Sequence, residues 1–260
     1  MVDHLDRLAV DATATVESGY YRRQPTRRLV KSRVGLKESI RRSPHTPIIA
    51  EIKRASPSAG DIRRGLDASD AARSMAAGGA VGISVLTEPR HFKGSLEALE
   101  EVRAAVGLPV LMKDIVVSLE QIKCAETYWA DAVLLIMGVF GRGHADISLE
   151  EAVSETQGRG LEALLEAHTI NEFQASLETD ADLIGINNRD LGSMAVDLGT
   201  TERILKYADV ADRTVVSMSG IESPADVKYL RRCGADAFLV GSAFMRSHDM
   251  EETLRRMTLP

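Results

Sequence analysis

A chain of 260 residues that is 44% hydrophobic and 27% charged has the apolar material for a sizeable core and the composition of an ordinary soluble globular protein. Its formal net charge of -6 argues against a broad nucleic-acid-binding surface, although a few local cations are enough to hold a small anionic ligand. No apolar run reaches the roughly 18 residues of a membrane span, and the first 23 residues mix acids with apolar residues, unlike a signal peptide. Cys124 and Cys233 lie far apart without metal-ligand spacing and read as buried thiols in a reducing, cytoplasmic setting.

In chain order, residues 1–45 read as a helical extension of one or two helices capping an end of the main fold. Eight short apolar runs come next: 47–53 (PIIAEIK), 81–87 (VGISVLT), 109–114 (PVLMKD), 131–136 (DAVLLI), 161–167 (LEALLEA), 182–187 (DLIGIN), 213–218 (RTVVSM) and 236–241 (DAFLVG). Near-continuous apolar runs of this length suit parallel strands buried on both faces. Between them lie helical segments at 67–77, 95–105, 118–127, 148–156, 170–177, 200–208 and 223–233. Ser118 with Gln121 reads as a capping box, and Ser223 followed by Pro224, with Gly234 past the end, brackets the last of these helices.

Eight β-then-α units point to an α/β fold, a closed (β/α)8 barrel of the TIM type with an N-terminal helical extension. The whole of 1–260 is expected to be one domain, with 46–260 as the barrel. An open doubly wound sheet would show a glycine-rich turn after its first strand, and ASPSAG is not G-x-G-x-x-G. A faint repeat supports closure: Gly79-Ala80, Ala130-Asp131, Ala181-Asp182 and Ala235-Asp236 each precede an even-numbered strand, although any such turn favours small residues and Asp.

In a barrel of this kind, sites sit at the C-terminal ends of the strands. The first strand ends in Glu51-Ile52-Lys53, whose alternate side chains share a face. The third ends in Lys113-Asp114, the fifth in Glu166-Ala167-His168 and the sixth in Asn187-Asn188-Arg189-Asp190. Charges inside apolar runs are costly unless paired, so each alone could be an ion pair at the mouth; together they read as an acid–base site. His168 reads as a hydrogen-bonded structural histidine. Ser219-Gly220 and Gly241-Ser242, after strands seven and eight, suit a phosphate site or simply tight turns. The histidines and acids show no metal-binding pattern, so no metal is expected.

These strand ends, as a set, resemble indole-3-glycerol phosphate synthase. The matching segments run in order from about residue 45 to 247: IIAEIKRASPS, SVLTEPRHFKGS, PVLMKDIVVSLEQI, ADAVLLI, LLEAH, IGINNRDL, SGI and AFLVGSAFMR. The resemblance implies ring closure, decarboxylation and dehydration of 1-(2-carboxyphenylamino)-1-deoxyribulose 5-phosphate, without cofactor. It implies Lys113 as general acid, Glu166 as general base, and Lys53, held by Glu51, at the substrate carboxylate. It also implies that Asn187 orients the substrate, with Arg189 and Glu88 as neighbours. Ser56, Ser219, Gly220, Gly241 and Ser242 would surround the phosphate.

Three positions depart from the family pattern: Met218 stands where a glutamate is usual, Ile115 where Phe is frequent, and Ala55 where a second basic residue is common. Together they leave room for a slowed enzyme or a shifted substrate preference; Met218 motivates a relative that binds without turnover, whereas LLEAH and INNRDL argue against a different reaction on a phosphate-binding barrel, such as sugar-phosphate isomerisation. The expected partner is a phosphorylated small molecule, not nucleic acid or membrane, and the expected state is a monomer or weak homo-oligomer.

Overall fold

The computed structural model describes residues 3–27, 35–56, 60–61 and 65–259, with Ser56 and Asp61 described by backbone alone. Eight parallel strands close into a barrel: β1 Ile48–Ile52, β2 Gly82–Leu86, β3 Val110–Lys113, β4 Ala132–Ile136, β5 Glu162–Ala167, β6 Leu183–Asn187, β7 Val215–Met218 and β8 Ala237–Val240. Each pairs with its neighbours in the chain, and β8 returns to β1 with Ile49 opposite Leu239. The predicted strands fall within two residues of these bounds.

Alternation along the strands divides the apolar residues into two layers. Ile48, Ala50, Val85, Met112, Leu135 and Phe238 face out and pack under the helices. Ile49, Leu111, Leu134, Leu164, Val216 and Leu239 face in and fill the barrel, as in a packed core without a pore. The same alternation turns Glu51, Lys113 and Glu166 inward, one register above this apolar filling.

Helices follow the strands where the capping signals place them. Ser118/Gln121, Thr169/Glu172 and Ser223/Asp226 each form a capping box, in which side chain and backbone satisfy each other's donors. The helices Met137–Gly141, Ser242–Arg246 and Met250–Thr258, and the two-residue hairpin strands Ala55–Ser56 and Gly60–Asp61, are additional to the sequence reading.

The N-terminal extension caps both ends of the barrel, where one end was expected. Helix α1, His4–Glu17, lies across the C-terminal mouth: Asp11 meets Arg90 and His91 after β2, and Asp6 meets Arg142 and His144 beyond β4. Helix α2, Leu36–Arg41, closes the opposite end, where the Ser39 hydroxyl donates to Val81 O at 2.6 Å and the Leu36 N–H donates to Glu162.

At that N-terminal end the faint repeat has a physical cause. Asp131, Asp182 and Asp236 each accept, at 2.8 Å, an N–H from the first or second residue of the previous strand, Val110, Ala163 and Val215 respectively. Asp131 also pairs with Arg103 at 2.5 Å, both fully buried. Of the two cysteines, Cys124 is buried and its thiol is pushed up to about 12 by burial, whereas Cys233 is only partly buried, contrary to expectation.

Candidate active site

The C-terminal mouth holds a cavity of about 930 Å³, counting its open entrance. Eleven of the residues singled out in the sequence line it: Glu51, Lys53, Glu88, Lys113, Glu166, Asn187, Arg189, Ser219, Gly220, Gly241 and Ser242. The side chain of Ser56, the other residue to which the resemblance gives a role, lies outside the described residues.

A chain of charges crosses the floor. Lys53 Nζ lies 2.9 Å from Glu51 Oε1, and Lys113 Nζ lies 2.7 Å from Glu51 Oε2. Burial alone would raise the Glu51 carboxyl, but the Lys113 and Lys53 ammonium groups outweigh it and hold it down at about 2. Burial disfavours the charged form of Lys113, yet Glu51 and Glu166 reverse this and keep its pKa above the ordinary lysine value. Gly241, just after β8, makes room for the arrangement, because a Cβ there would stand 2.5 Å from Glu51 Oε1.

Across the mouth, Asn187 Nδ2 donates to Glu166 Oε1 at 2.8 Å, and Asn187 Oδ1 accepts the Arg189 N–H at 2.9 Å. Burial raises the Glu166 pKa, with Lys113 and Asn187 opposing. Arg189 donates to Met194 O at 3.0 Å; burial lowers its pKa, partly offset by Glu51. Three cations, Lys53, Lys113 and Arg189, thus face Glu51 and Glu166 across the mouth, and Glu88 and Asp114 add two further carboxylates to the lining.

Ser219 and Gly220 both hold left-handed backbone, at φ 69° and 77°. For Ser219 this is an uncommon conformation, held in place by the Asn188 Nδ2 bond to its carbonyl at 3.2 Å. With Gly241 and Ser242 they give the cavity a rim of small residues beside β7 and β8.

Other residues take parts that their position in the sequence did not reveal. Glu88 lines the cavity, but its carboxylate accepts the N–H groups of Arg90, His91 and Phe92 and so organises the turn after β2. Asp114 accepts from Tyr21 at 2.9 Å, Thr87 at 2.5 Å and the Ile115 N–H at 2.8 Å; burial raises it to about 6 against those bonds. His168 has the expected structural role, its Nδ1 donating to Asn187 O at 2.7 Å. Leu8, Phe92, Leu191 and Met194 line the cavity unforeseen, because an apolar residue in a helix or loop carries no chemical signal. Leu134, Ile136 and Ile115 line the apolar wall. Met218 is fully buried beneath the cavity, its Cε 2.6 Å from where a Cβ on Gly185 would sit.

Among the described residues, no three His, Cys, Asp or Glu side chains gather so as to hold a metal ion, and no helix is long and apolar enough to cross a membrane.

A family model described as indole-3-glycerol phosphate synthase matches residues 5–257. Proteins of that name are similar to the chain throughout. That of Halobacterium salinarum is 39% identical over 260 residues, covering 99% of this chain and all of the relative. That of Haloarcula marismortui is 44% identical over 217 residues, covering 82% of this chain and 78% of the relative. Among solved structures, thiamine phosphate pyrophosphorylase from Pyrococcus furiosus aligns with a TM-score of 0.59 at 16% identity, covering 86% of this chain and 96% of its own. N-acetylmannosamine-6-phosphate 2-epimerase from Clostridium perfringens aligns with a TM-score of 0.60 at 13% identity, covering 82% and 92%. At such identities these two likenesses concern the barrel alone.

Proposed function

Because the chain belongs to the indole-3-glycerol phosphate synthase family, we propose that it is a carboxy-lyase of tryptophan biosynthesis that converts 1-(2-carboxyphenylamino)-1-deoxyribulose 5-phosphate to indole-3-glycerol phosphate. The observation that carries the reading is the buried Lys53–Glu51–Lys113 chain facing the Glu166–Asn187 pair across one cavity. We further take the chain as a single cytoplasmic domain, monomeric or weakly self-associating, that works without cofactor.

The substrate has a phosphate at one end and a carboxylated aryl ring at the other. The Ser219-Gly220 and Gly241-Ser242 loops, with Ser56, would take the phosphate, and the Leu134, Ile136 and Phe92 wall would take the ring. Lys53 and Arg189 would meet the carboxylate. Fixing both ends folds the flexible chain onto the ring, which is an orientation effect of several kcal/mol.

In closure, the ring carbon bearing the carboxylate attacks the ketone carbon. The carbonyl electron pair moves to oxygen, which takes a proton from the Lys113 ammonium. The raised pKa of Lys113 keeps that proton in place until negative charge develops on the oxygen. Such proton transfer is worth roughly 10²–10⁴ in rate. Carbon dioxide then leaves, its bonding electrons returning to the ring. In dehydration, the hydroxyl departs as water with a proton from Lys53, while Glu166, steadied by Asn187, removes the proton that completes the indole double bond.

The test is turnover of this substrate by purified protein, followed by indole fluorescence with and without Lys113→Ala. No turnover by the wild type under conditions where the substrate binds would reject the reading. Near-normal kcat in Lys113→Ala would reject the role given to Lys113.

A further inference from the structure

Two walls of the cavity come from outside the strands. Leu8 reaches it from α1, and Phe92 reaches it from the turn after β2 as the one aromatic ring in its lining among the described residues. The path of that turn is set from within. Glu88 accepts the N–H groups of Arg90 at 2.8 Å, His91 at 2.7 Å and Phe92 at 3.0 Å, and Gly94 N donates to Glu88 O at 2.9 Å. Those bonds shape the turn without fixing how far it stands from α1.

Asp11 fixes that distance. Its Oδ1 accepts from Arg90 Nη1 at 3.0 Å, and its Oδ2 meets His91 Nε2 at 2.8 Å. Asp11 is three residues beyond Leu8, so the two share a face of α1. The same carboxylate that grips the Phe92 turn therefore anchors the helix where Leu8 enters the mouth. The ring of His4 adds an edge-on contact to His91 with centroids 6.2 Å apart. The hydrogen bond from His91 holds the Asp11 carboxyl below the usual range, with Arg90 adding to it against the effect of burial.

Resting on the reaction proposed above, we infer that Asp11 is a positioning residue for the aryl end of the substrate, setting the gap between Leu8 and Phe92 through Arg90 and His91. Asp11 does not line the cavity; it acts through Leu8 and Phe92, which do. The other clamp on α1 has no such consequence. Asp6 Oδ1 binds Arg142 Nη1 at 2.9 Å and meets His144 Nε2 at 2.8 Å, and neither Arg142 nor His144 lines the cavity.

The experiment compares wild type, Asp11→Asn, Asp11→Glu and Asp6→Asn in steady-state turnover. It adds two inhibition constants, one for the reduced, unreactive ribitol analogue of the substrate and one for inorganic phosphate. Asp11→Asn is expected to raise KM and the analogue's constant about tenfold, the effect of losing one charge-assisted contact pair. Its kcat and its phosphate affinity should stay within about twofold, the margin of an indirect effect confined to one end of the ligand. Asp11→Glu, which keeps the charge, should recover most of the KM, and Asp6→Asn should leave KM unchanged. The inference is overturned by an unchanged KM in folded Asp11→Asn. It is equally overturned by a KM rise shared by Asp6→Asn, which would show that α1 matters only as a whole. Wild-type turnover in the same series judges the proposed reaction separately, so an active wild type with an indifferent Asp11→Asn sinks this inference alone.

Discussion

The two ends of this barrel use the same kinds of charged residue for opposite purposes. At the N-terminal end the carboxylates of Asp131, Asp182 and Asp236 accept backbone N–H groups at the start of strands, and Arg103 completes the first of them with a buried ion pair. Each carboxylate there ends in the chain's own backbone. At the C-terminal end Glu51, Lys53 and Lys113 pair with one another around a space that Glu166 and Asn187 face from the other side. The difference teaches that a buried charge in an apolar run is not by itself a sign of chemistry. What separates scaffold from site is whether the partners are backbone groups or other titratable side chains facing a void.

The sharpest way to break the comparison is to remove one charge from each end. Lys113→Ala should lower kcat by about 10³ or more while costing little stability, since Glu51 keeps Lys53 as partner. Indole fluorescence and thermal unfolding on the same sample check both halves. Asp131→Ala should do the reverse. Stranding the Arg103 guanidinium and the Val110 N–H should cost about 3–5 kcal/mol, with turnover per folded molecule retained in the cold. A catalytic loss in Asp131→Ala larger than its loss of folded protein would undo the division.

Acid titration should separate two groups within the mouth itself. Glu51 sits at about 2 when folded against an ordinary 4.5, so its share of stability is present above pH 4.5 and fades as the pH falls towards 2. Asp114 runs the other way. Its folded value near 6 exceeds the ordinary 3.8, so the folded state binds the extra proton and stability falls as pH rises from 3.8 to 6. Subtracting the unfolding curve of Asp114→Asn from that of the wild type should expose this slope of opposite sign. A flat difference would mean that Asp114 is ionised throughout. The smallest effect is expected of Met218→Leu, a swap of similar volume costing less than about 1.5 kcal/mol. Met218→Glu should preserve activity, since the cations Lys53, Lys113 and Arg189 line the neighbouring cavity. A large loss in Met218→Glu would show that the Met218–Gly185 packing is what the floor depends on.

Much of this was legible in the sequence because the physics behind it is local. Strands buried on both faces announce themselves as apolar runs, and alternation places Glu51, Lys53, Lys113 and Glu166 inward once the strand is known. The loops and the extension were not legible. Glu88 reads as a rim carboxylate, yet its oxygens are taken by three N–H groups that only a particular turn brings together. Gly241 reads as a phosphate-loop glycine, yet the bulk it must avoid is Glu51, on the neighbouring strand across the barrel seam. Leu8 and Asp11 look like any amphipathic helix, and nothing in their spacing says which end of a barrel will receive them. The helices Met137–Gly141 and Ser242–Arg246 are too short to leave a periodic trace.

The Asp ties at the N-terminal end also bear on how the chain reaches its folded state. Each closes a loop of only 19–21 residues, from the start of one strand to the start of the next, so pairs of strands can assemble from local contacts before the ring exists. The β8–β1 seam has no such tie. There Phe238 N donates to Pro47 O, Thr46 N to Thr258 O in the C-terminal helix, and Arg231 to the Thr46 hydroxyl, all across nearly the full length of the chain. Closing the ring therefore carries the largest loop-closure entropy of any strand pairing here, and the helix Met250–Thr258 contributes a hydrogen bond to that seam.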